Sequence, residues 1–291
     1  MSNFERLTFE GRSIETKAPD MSPTIAIGTL GSAATFAGEA TRGMRALYPE
    51  FSEPSYFPSM DACWDALDAG KVDAVVLGAE RTGQPHGCHA VVTRGFHVFG
   101  EFAQPLACNL YVKPGARKEN IRLVTGHGSV FQCTAWLERE FPGVPREAHG
   151  LNSVEAAKAM MAGDGSIAVV GSRSLPQLVP GLETRATAID DGAISSWWAV
   201  SKQARFADAP DRVVVAARCS SDGTLGQLVA AVNAAGYELR TVGAFAVHHG
   251  VSVYDYLLSF GGTGNLKTVQ NALAEFADAR LAGAYVQRGK Y

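Results

Sequence analysis

One local pattern recurs along this chain and limits what it can become: a short apolar run, a turn of glycine and small polar residues, then a stretch with helical spacing. After Pro23 the residues read "TIAIG", "TLGSAA" and "TFAGEATRGMRALYP", and in the last of these Phe36, Ala40 and Met44 fall on one helical face. The order continues through a helix "SMDACWDALDAG", strands "KVDAVVLGA", "QPLACNLYV" and "NIRLVTG", helices "SVFQCTAWLEREFP" and "SVEAAKAMMAG", and a strand "SIAVVGS". Strands alternating with helices bury themselves as α/β layers on mostly parallel sheets. The prediction is an α/β protein.

The polar segment "KQARFADAPDR", residues 202–212, ends this alternation and reads as a linker. Beyond it come a strand "RVVVAAR", a helix "GTLGQLVAAVNAAG", two adjacent strands "ELRTVGAFAVHHG" and "VSVYDYLLSF", a helix "NLKTVQNALAEFADA" and a last strand "AYVQ". That β-α-β-β-α-β order predicts a ferredoxin-like module of the kind that senses ligands or dimerises.

At 291 residues the chain has room for two or three such modules. Hydrophobic residues make up 46% and charged residues 19%, with a net charge of -3, which excludes a disordered chain and a basic nucleic-acid surface. Small anionic or neutral partners fit better. Cys63, Cys88, Cys108, Cys133 and Cys219 form no CxxC pair and read as buried small hydrophobes in a reducing compartment. Residues 1–23 mix both charge signs and lack a signal peptide's apolar run, and no later run is long enough for a bilayer, so a soluble, cytoplasmic protein without membrane contact is expected.

In open α/β sheets, ligands bind at the carboxyl ends of strands. The turn 28–35 offers Ser32, Thr35 and the helix-start N–H groups to a carboxylate or phosphate, although the same residues suit an ordinary cap. It has neither GxGxxG nor a Walker lysine, so no cofactor is expected. A second strand end carries Glu80, Arg81, Thr82 and His86; His86, Cys88 and His89 there lack the further ligands a metal needs. The third carries His127, a general acid, carboxylate ligand or turn residue, with Ser129 as a cap. The fourth carries Ser172, Arg173 and Ser174, with Arg173 either a carboxylate clamp or an exposed arginine. The fifth is "AISSWWAVSK", which sets Ser195, Ser196, Trp197 and Trp198 just ahead of an expected strand. Together they suit a cleft between two lobes that grips a small dianion.

The residues also carry a resemblance. "IGTLGSAATFAGEA" is similar to the Gly-x-x-Gly-Thr-Phe opening of prephenate dehydratases, "KVDAVVLGAERTG" stands where that family has a strand and a Pro-x-Glu-Asn-Ser turn, and "TGHGSVFQCTAWL" resembles its Ser-His-Pro-Gln segment. The similarity runs on through "NSVEAAKAM" and "IAVVGS" to an end that resembles an ACT domain. It implies a two-lobed catalytic region like type II periplasmic binding proteins at residues 24–204, after an extension at 1–23. Lobe one would be about 24–105 and 187–204, lobe two about 106–186, with a ferredoxin-like (βαββαβ) ACT domain at 210–291. It also implies a homodimer or homotetramer.

The departures matter. The family's Thr-Arg-Phe signature, in which the hydroxyl protonates the departing group and the arginine holds a carboxylate, falls on Ser196, Trp197 and Trp198. The Glu-Ser-Arg-Pro sensing motif falls near "VGAFAVHHG", where none of it survives and His248 and His249 follow. "TLG", "GHGS" and "SSW" resemble instead the non-aromatising prephenate decarboxylases of bacilysin- and salinosporamide-type antibiotic pathways, although the bacilysin type lacks a regulatory domain. This implies prephenate as substrate, Ser32, Thr35 and Ser195 with Arg81, Thr82, Ser129 or Arg173 on its carboxylates, and Glu80, His127, Ser196 and Trp197 near the ring. The alternatives are a prephenate dehydratase and a catalytically silent small-molecule-binding regulator.

Overall fold

The structure, a computed structural model, describes residues 25–79, 87–149, 152–219, 222–247 and 253–288, with the backbone of 8–9 and 12–13. Glu80, Arg81, Thr82 and His86, like His248 and His249, lie outside the described residues. Residues 8–9 and 12–13 form a short antiparallel pair, β1 (Thr8–Phe9) and β2 (Arg12–Ser13).

The predicted alternation folds into two α/β lobes. The first contains β3 (Ile27–Leu30), α1 (Phe36–Leu47), β4 (Ser55–Phe57), α2 (Met60–Asp68), β5 (Ala74–Gly78), α3 (His89–Thr93), β6 (His97–Pro105) and the returning β12 (Ile194–Ser201). The second contains β7 (Asn109–Val112), β8 (Leu123–Gly126), α4 (Thr134–Glu140), β9 (Arg146–Ala148), α5 (Ser153–Ala162), β10 (Ile167–Gly171), α6 (Leu175–Leu178) and β11 (Glu183–Ala186). Strand order is β6-β12-β5-β3-β4 in the first and β11-β7-β10-β8-β9 in the second. Local chemistry sets the helix starts: Thr35, Ser59 and Asn152 each accept a hydrogen bond from a first-turn N–H.

Two crossovers join the lobes, at 106–108 and 187–193. Cys108 N donates to the buried Asp190 carboxylate at 2.7 Å, Leu106 N to Ala193 O at 2.8 Å and Ile189 N to Cys108 O at 2.9 Å. The non-glycine residues with left-handed backbone among those described, Ala107, Ala188 and Asp191, all sit in these crossovers. Each costs about 1–2 kcal/mol relative to the right-handed form. This corrects the sequence reading of "QPLACNLYV" as one strand: Ala107, at φ 52°, breaks it into β6 and β7, which belong to different sheets. The run "SVFQC" likewise lies in a 3-10 turn (Gly128–Cys133) before α4, and Ser195 to Trp198 lie within β12 rather than ahead of it.

The C-terminal part runs β13 (Arg212–Cys219), α7 (Asp222–Ala234), β14 (Tyr237–Ala246), β15 (Tyr254–Gly262), α8 (Leu266–Leu273) and β16 (Ala279–Tyr285), with antiparallel order β14-β15-β13-β16. Val213, Val215, Leu258 and Phe260 pack against Leu228, Val232 and Val269 of the two helices. The opposite face, through Val214, Ala216 and Leu257, packs on Trp64, Phe96 and Trp198 of lobe one. β16 also pairs in parallel with β6 at Gly283 and Val98, so the two sheets continue as one of nine strands. A Cβ at Gly283 would sit 2.6 Å from Val98 O, closer than any side chain tolerates. Gly283→Ala is expected to lower unfolding free energy by about 1–3 kcal/mol, the usual cost of overpacking, read by urea denaturation. An unchanged midpoint would mean the seam adds nothing to stability.

Asp255 completes the seam. Burial pushes its carboxyl up, but hydrogen bonds from Arg218 at 2.7 and 3.2 Å and from His89 Nε2 at 3.0 Å outweigh this and hold it below the usual carboxylate range. His89 is thereby turned away from any metal role with Cys88, whose thiol donates to Gly78 O and Ala79 O. Among the described residues no three His, Cys, Asp or Glu side chains converge as a metal site, and no helix is long and apolar enough to cross a membrane.

Candidate active site

Helix starts from both lobes converge on one cavity of about 130 Å³. Lobe one supplies Leu30, Gly31, Thr35, Phe36, Met60 and Trp197 among others; lobe two supplies His127, Asn152, Ser153, Val154 and Ser172. Gly31 makes the turn after β3 with φ 86°, a conformation that favours glycine. Thr35 then caps α1: its hydroxyl accepts from Gly38 N at 3.1 Å and donates to Ser32 O at 2.8 Å. The cap serves Gly38 and leaves the N–H groups of Phe36 and Ala37 at the positive end of the helix dipole, beside the cavity. Across from it Asn152 caps α5 by accepting from Val154 N and Glu155 N.

The wall is mainly apolar. Among its described residues His127 is the one titratable side chain. The His127 turn is held through its backbone, with His127 N donating to Ser153 Oγ at 3.2 Å and Val130 N donating to His127 O at 2.9 Å. Ser172 joins the lobes by donating to Ala34 O at 2.9 Å, and Ser174 N donates to the buried Glu39 Oε1 at 2.9 Å. Behind Ser172, the Tyr111 hydroxyl donates to Ser172 O at 2.8 Å; burial raises this phenol's pKa and keeps it a donor.

The β12 corner has two faces, since side chains alternate along a strand. Trp197 is 7% exposed, lines the cavity and packs with Ala37, Ala40 and Met44. It pairs with Gly78, which presents no side chain against the indole. Its Nε1 donates to Ser195 Oγ at 2.8 Å, and that hydroxyl in turn donates to Gln104 O at 3.4 Å; Ser195 shares the face of Trp197 but does not itself line the cavity. Ser196 points the other way and donates to Glu101 at 2.8 Å. Trp198 shares that second face, in the core under the C-terminal sheet.

Of the residues expected from the sequence, the structure brings Thr35, His127 and Trp197 to one wall. Five expectations need correcting: the other described candidates lie off that wall, Ser195 among them through its bond from Trp197 Nε1. Ser196 faces away from the cavity because of the strand's period of two. Ser32 Oγ is buried off the wall and has no hydrogen-bond partner among the described residues. Ser129 is buried off the wall within its turn, its hydroxyl 3.5 Å from His127 O. Arg173 is also off the wall; its side chain is 68% exposed and stands 3.6 Å from Glu39. The Ser153 and Asn152 edge was missed, though "NSVE" reads as an N-cap followed three residues later by glutamate, a helix-start signature.

Comparison with known proteins places this architecture. The prephenate dehydratase family model matches residues 27–205. No curated protein matches the chain. Among solved structures, the chain is similar to a prephenate dehydratase in complex with L-Phe from Arthrobacter aurescens, at 18% identity and a TM-score of 0.74 over 91% of this chain and 92% of that one. It is also similar to the prephenate dehydratase of Staphylococcus aureus, at 13% identity and 0.68 over 90% and 100%. A third, described as GqqA, a novel type of quorum quenching acylase, matches at 16% identity and 0.69 over 90% and 98%. At such identities the structures show the fold, and the family model, spanning more than half of the sequence, shows the kinship. The chain belongs to the prephenate dehydratase family.

Proposed function

We propose that this protein decarboxylates prephenate without aromatising it. In prephenate the ring carbon carrying the carboxylate lies opposite the carbon carrying the hydroxyl. Loss of carbon dioxide breaks the C–C bond and sends its electron pair into the ring. In a dehydratase a proton goes to the departing hydroxyl, and water and an aromatic ring result. In a decarboxylase the pair moves along the adjacent alkene to a ring carbon that takes the proton, and the hydroxyl stays. Both reactions consume one proton and release one carbon dioxide. They differ in which atom the proton reaches, so the placement of donors decides the product.

The observation that carries the reading is the engaged hydroxyl of Ser195. It lies on the Trp197 face of the β12 corner, but its oxygen accepts from Trp197 Nε1 at 2.8 Å, its proton is directed to Gln104 O at 3.4 Å, and Trp197 lines the cavity while Ser195 does not. The Thr35 and Ser172 hydroxyls give their protons to carbonyls, Ser153 Oγ accepts from His127 N, and His127, on the lobe opposite the corner, is the one titratable side chain among the wall's described residues. The N–H groups of Phe36 and Ala37 suit a substrate carboxylate, and the apolar wall favours the dispersal of charge as carbon dioxide leaves. In the family's Thr-Arg-Phe alignment, moving the register by one residue, onto Ser195, Ser196 and Trp197, puts hydroxyl and aromatic ring together on one face of β12.

Dehydration is the second reading, favoured by the family match itself. The C-terminal βαββαβ unit fits an ACT-like regulatory and dimerising module in either case. Prephenate incubated with the protein at pH 8, beside an enzyme-free control, decides by proton NMR. Retained alkene and carbinol protons are expected; aromatic protons appearing at the enzymatic rate would support dehydration instead, and an unaltered substrate that still binds would support a regulator.

A further inference from the structure

One buried carboxylate grips β12 from behind the cavity. Glu101 on β6 is 3% exposed. Its Oε1 accepts from Ser196 Oγ at 2.8 Å, and its Oε2 accepts from the Tyr285 hydroxyl at 3.0 Å and from Arg240 Nη1 at 3.3 Å, with Arg212 Nε 3.9 Å away. Ser196 belongs to lobe one. Tyr285, Arg240 and Arg212 come from β16, β14 and β13, that is, from the C-terminal unit. A carboxylate so far from water is stable only because these donors replace its solvent. Burial and the Glu101 charge raise the Tyr285 phenol's pKa well above the ordinary value, so it stays protonated and donates.

The strand converts this grip into geometry at the cavity. Neighbouring residues share rigid peptide planes and point to opposite faces. The rotation that sends Ser196 to Glu101 therefore also sets Ser195 and Trp197 on the opposite face, where the indole donates to the serine. Ser196 is the link between the two hydrogen-bonded layers.

We propose that Glu101 is a positioning residue through which the C-terminal unit sets the pose of Trp197 in the cavity wall and of the Ser195 hydroxyl bonded to it. Its kinetic consequence rests on the prephenate reading above; its structural consequence does not. The test uses the full chain labelled with 5-fluorotryptophan, whose four tryptophans give four fluorine resonances, Trp197 being assigned by its loss in Trp197→Phe. Arg240→Ala removes a donor that is a third exposed and lies beyond the seam, without touching β12. The Trp197 resonance is expected to shift while that of Trp136, in the second lobe, stays. Arg240→Lys should return it, and in a Ser196→Ala background Arg240→Ala should no longer move it, which a general loosening of the fold would not produce. Turnover of prephenate should fall on the order of ten-fold in Arg240→Ala with KM changed far less, the effect of a misplaced wall. A Trp197 resonance that both Arg240→Ala and Glu101→Gln leave in place, in proteins that melt cooperatively, overturns the proposal. A wild type that shows the coupled resonances but does not turn over prephenate overturns the prephenate reading alone.

Discussion

In the Trp197→Phe protein, part of the product becomes aromatic. The substitution keeps a ring against Ala37, Ala40 and Met44 but removes the Nε1 proton that occupies Ser195 Oγ, and the smaller ring vacates space in the cavity wall next to that hydroxyl. A general acid in place contributes about 10²–10⁴-fold to a step that needs it. Even one tenfold gain, about 1.4 kcal/mol at the barrier, would turn a trace of phenylpyruvate into a measurable share. Proton NMR of the product mixture gives the partition directly. The ring is largely buried in a core, so the same exchange should also lower the melting temperature modestly. Trp197→Arg, which places a charge among those apolar neighbours, should cost far more stability. An unchanged product from a folded Trp197→Phe protein would mean that the engaged hydroxyl is not what prevents aromatisation.

The sequence made the layered α/β fold legible because its signals are local. Apolar runs, the cap in the turn that holds Thr35, and the β-α-β-β-α-β order after residue 212 each read within a few residues. What stayed hidden depends on contacts between distant segments. Nothing near Ala107 announces a left-handed residue; the crossover is fixed by Asp190, far along the chain, which takes the Cys108 N–H. The facing of Ser195 and Ser196 was open because the corner was read as ending before a strand. Once those residues belong to β12, the period of two assigns Ser195 to the face of Trp197 and Ser196 to Glu101. Glu101 itself gives no signal in a strand of mixed residues, since its partners come from β12 and from three strands at the other end of the sequence.

Substituting His127 with glutamine should remove most of the turnover and leave the fold intact. The turn around His127 is held by its backbone, through Ser153 Oγ and Val130 N, so a polar side chain of similar reach preserves it. What glutamine lacks is a titratable proton, and His127 is the one titratable side chain among the described residues of this wall. The expected loss in kcat is about 10²–10⁴-fold, with KM changed much less, because carboxylate binding falls to the helix-start N–H groups across the cavity. Deuterium oxide makes the assignment chemical: the wild type should place one deuteron on a single face of the ring, and whatever the variant still produces should carry it on both. A His127→Gln protein that keeps its rate within about threefold, with one-faced deuteration intact, would move the proton source to another group, and Glu80, two residues after β5 in the sequence, would be the residue to change next.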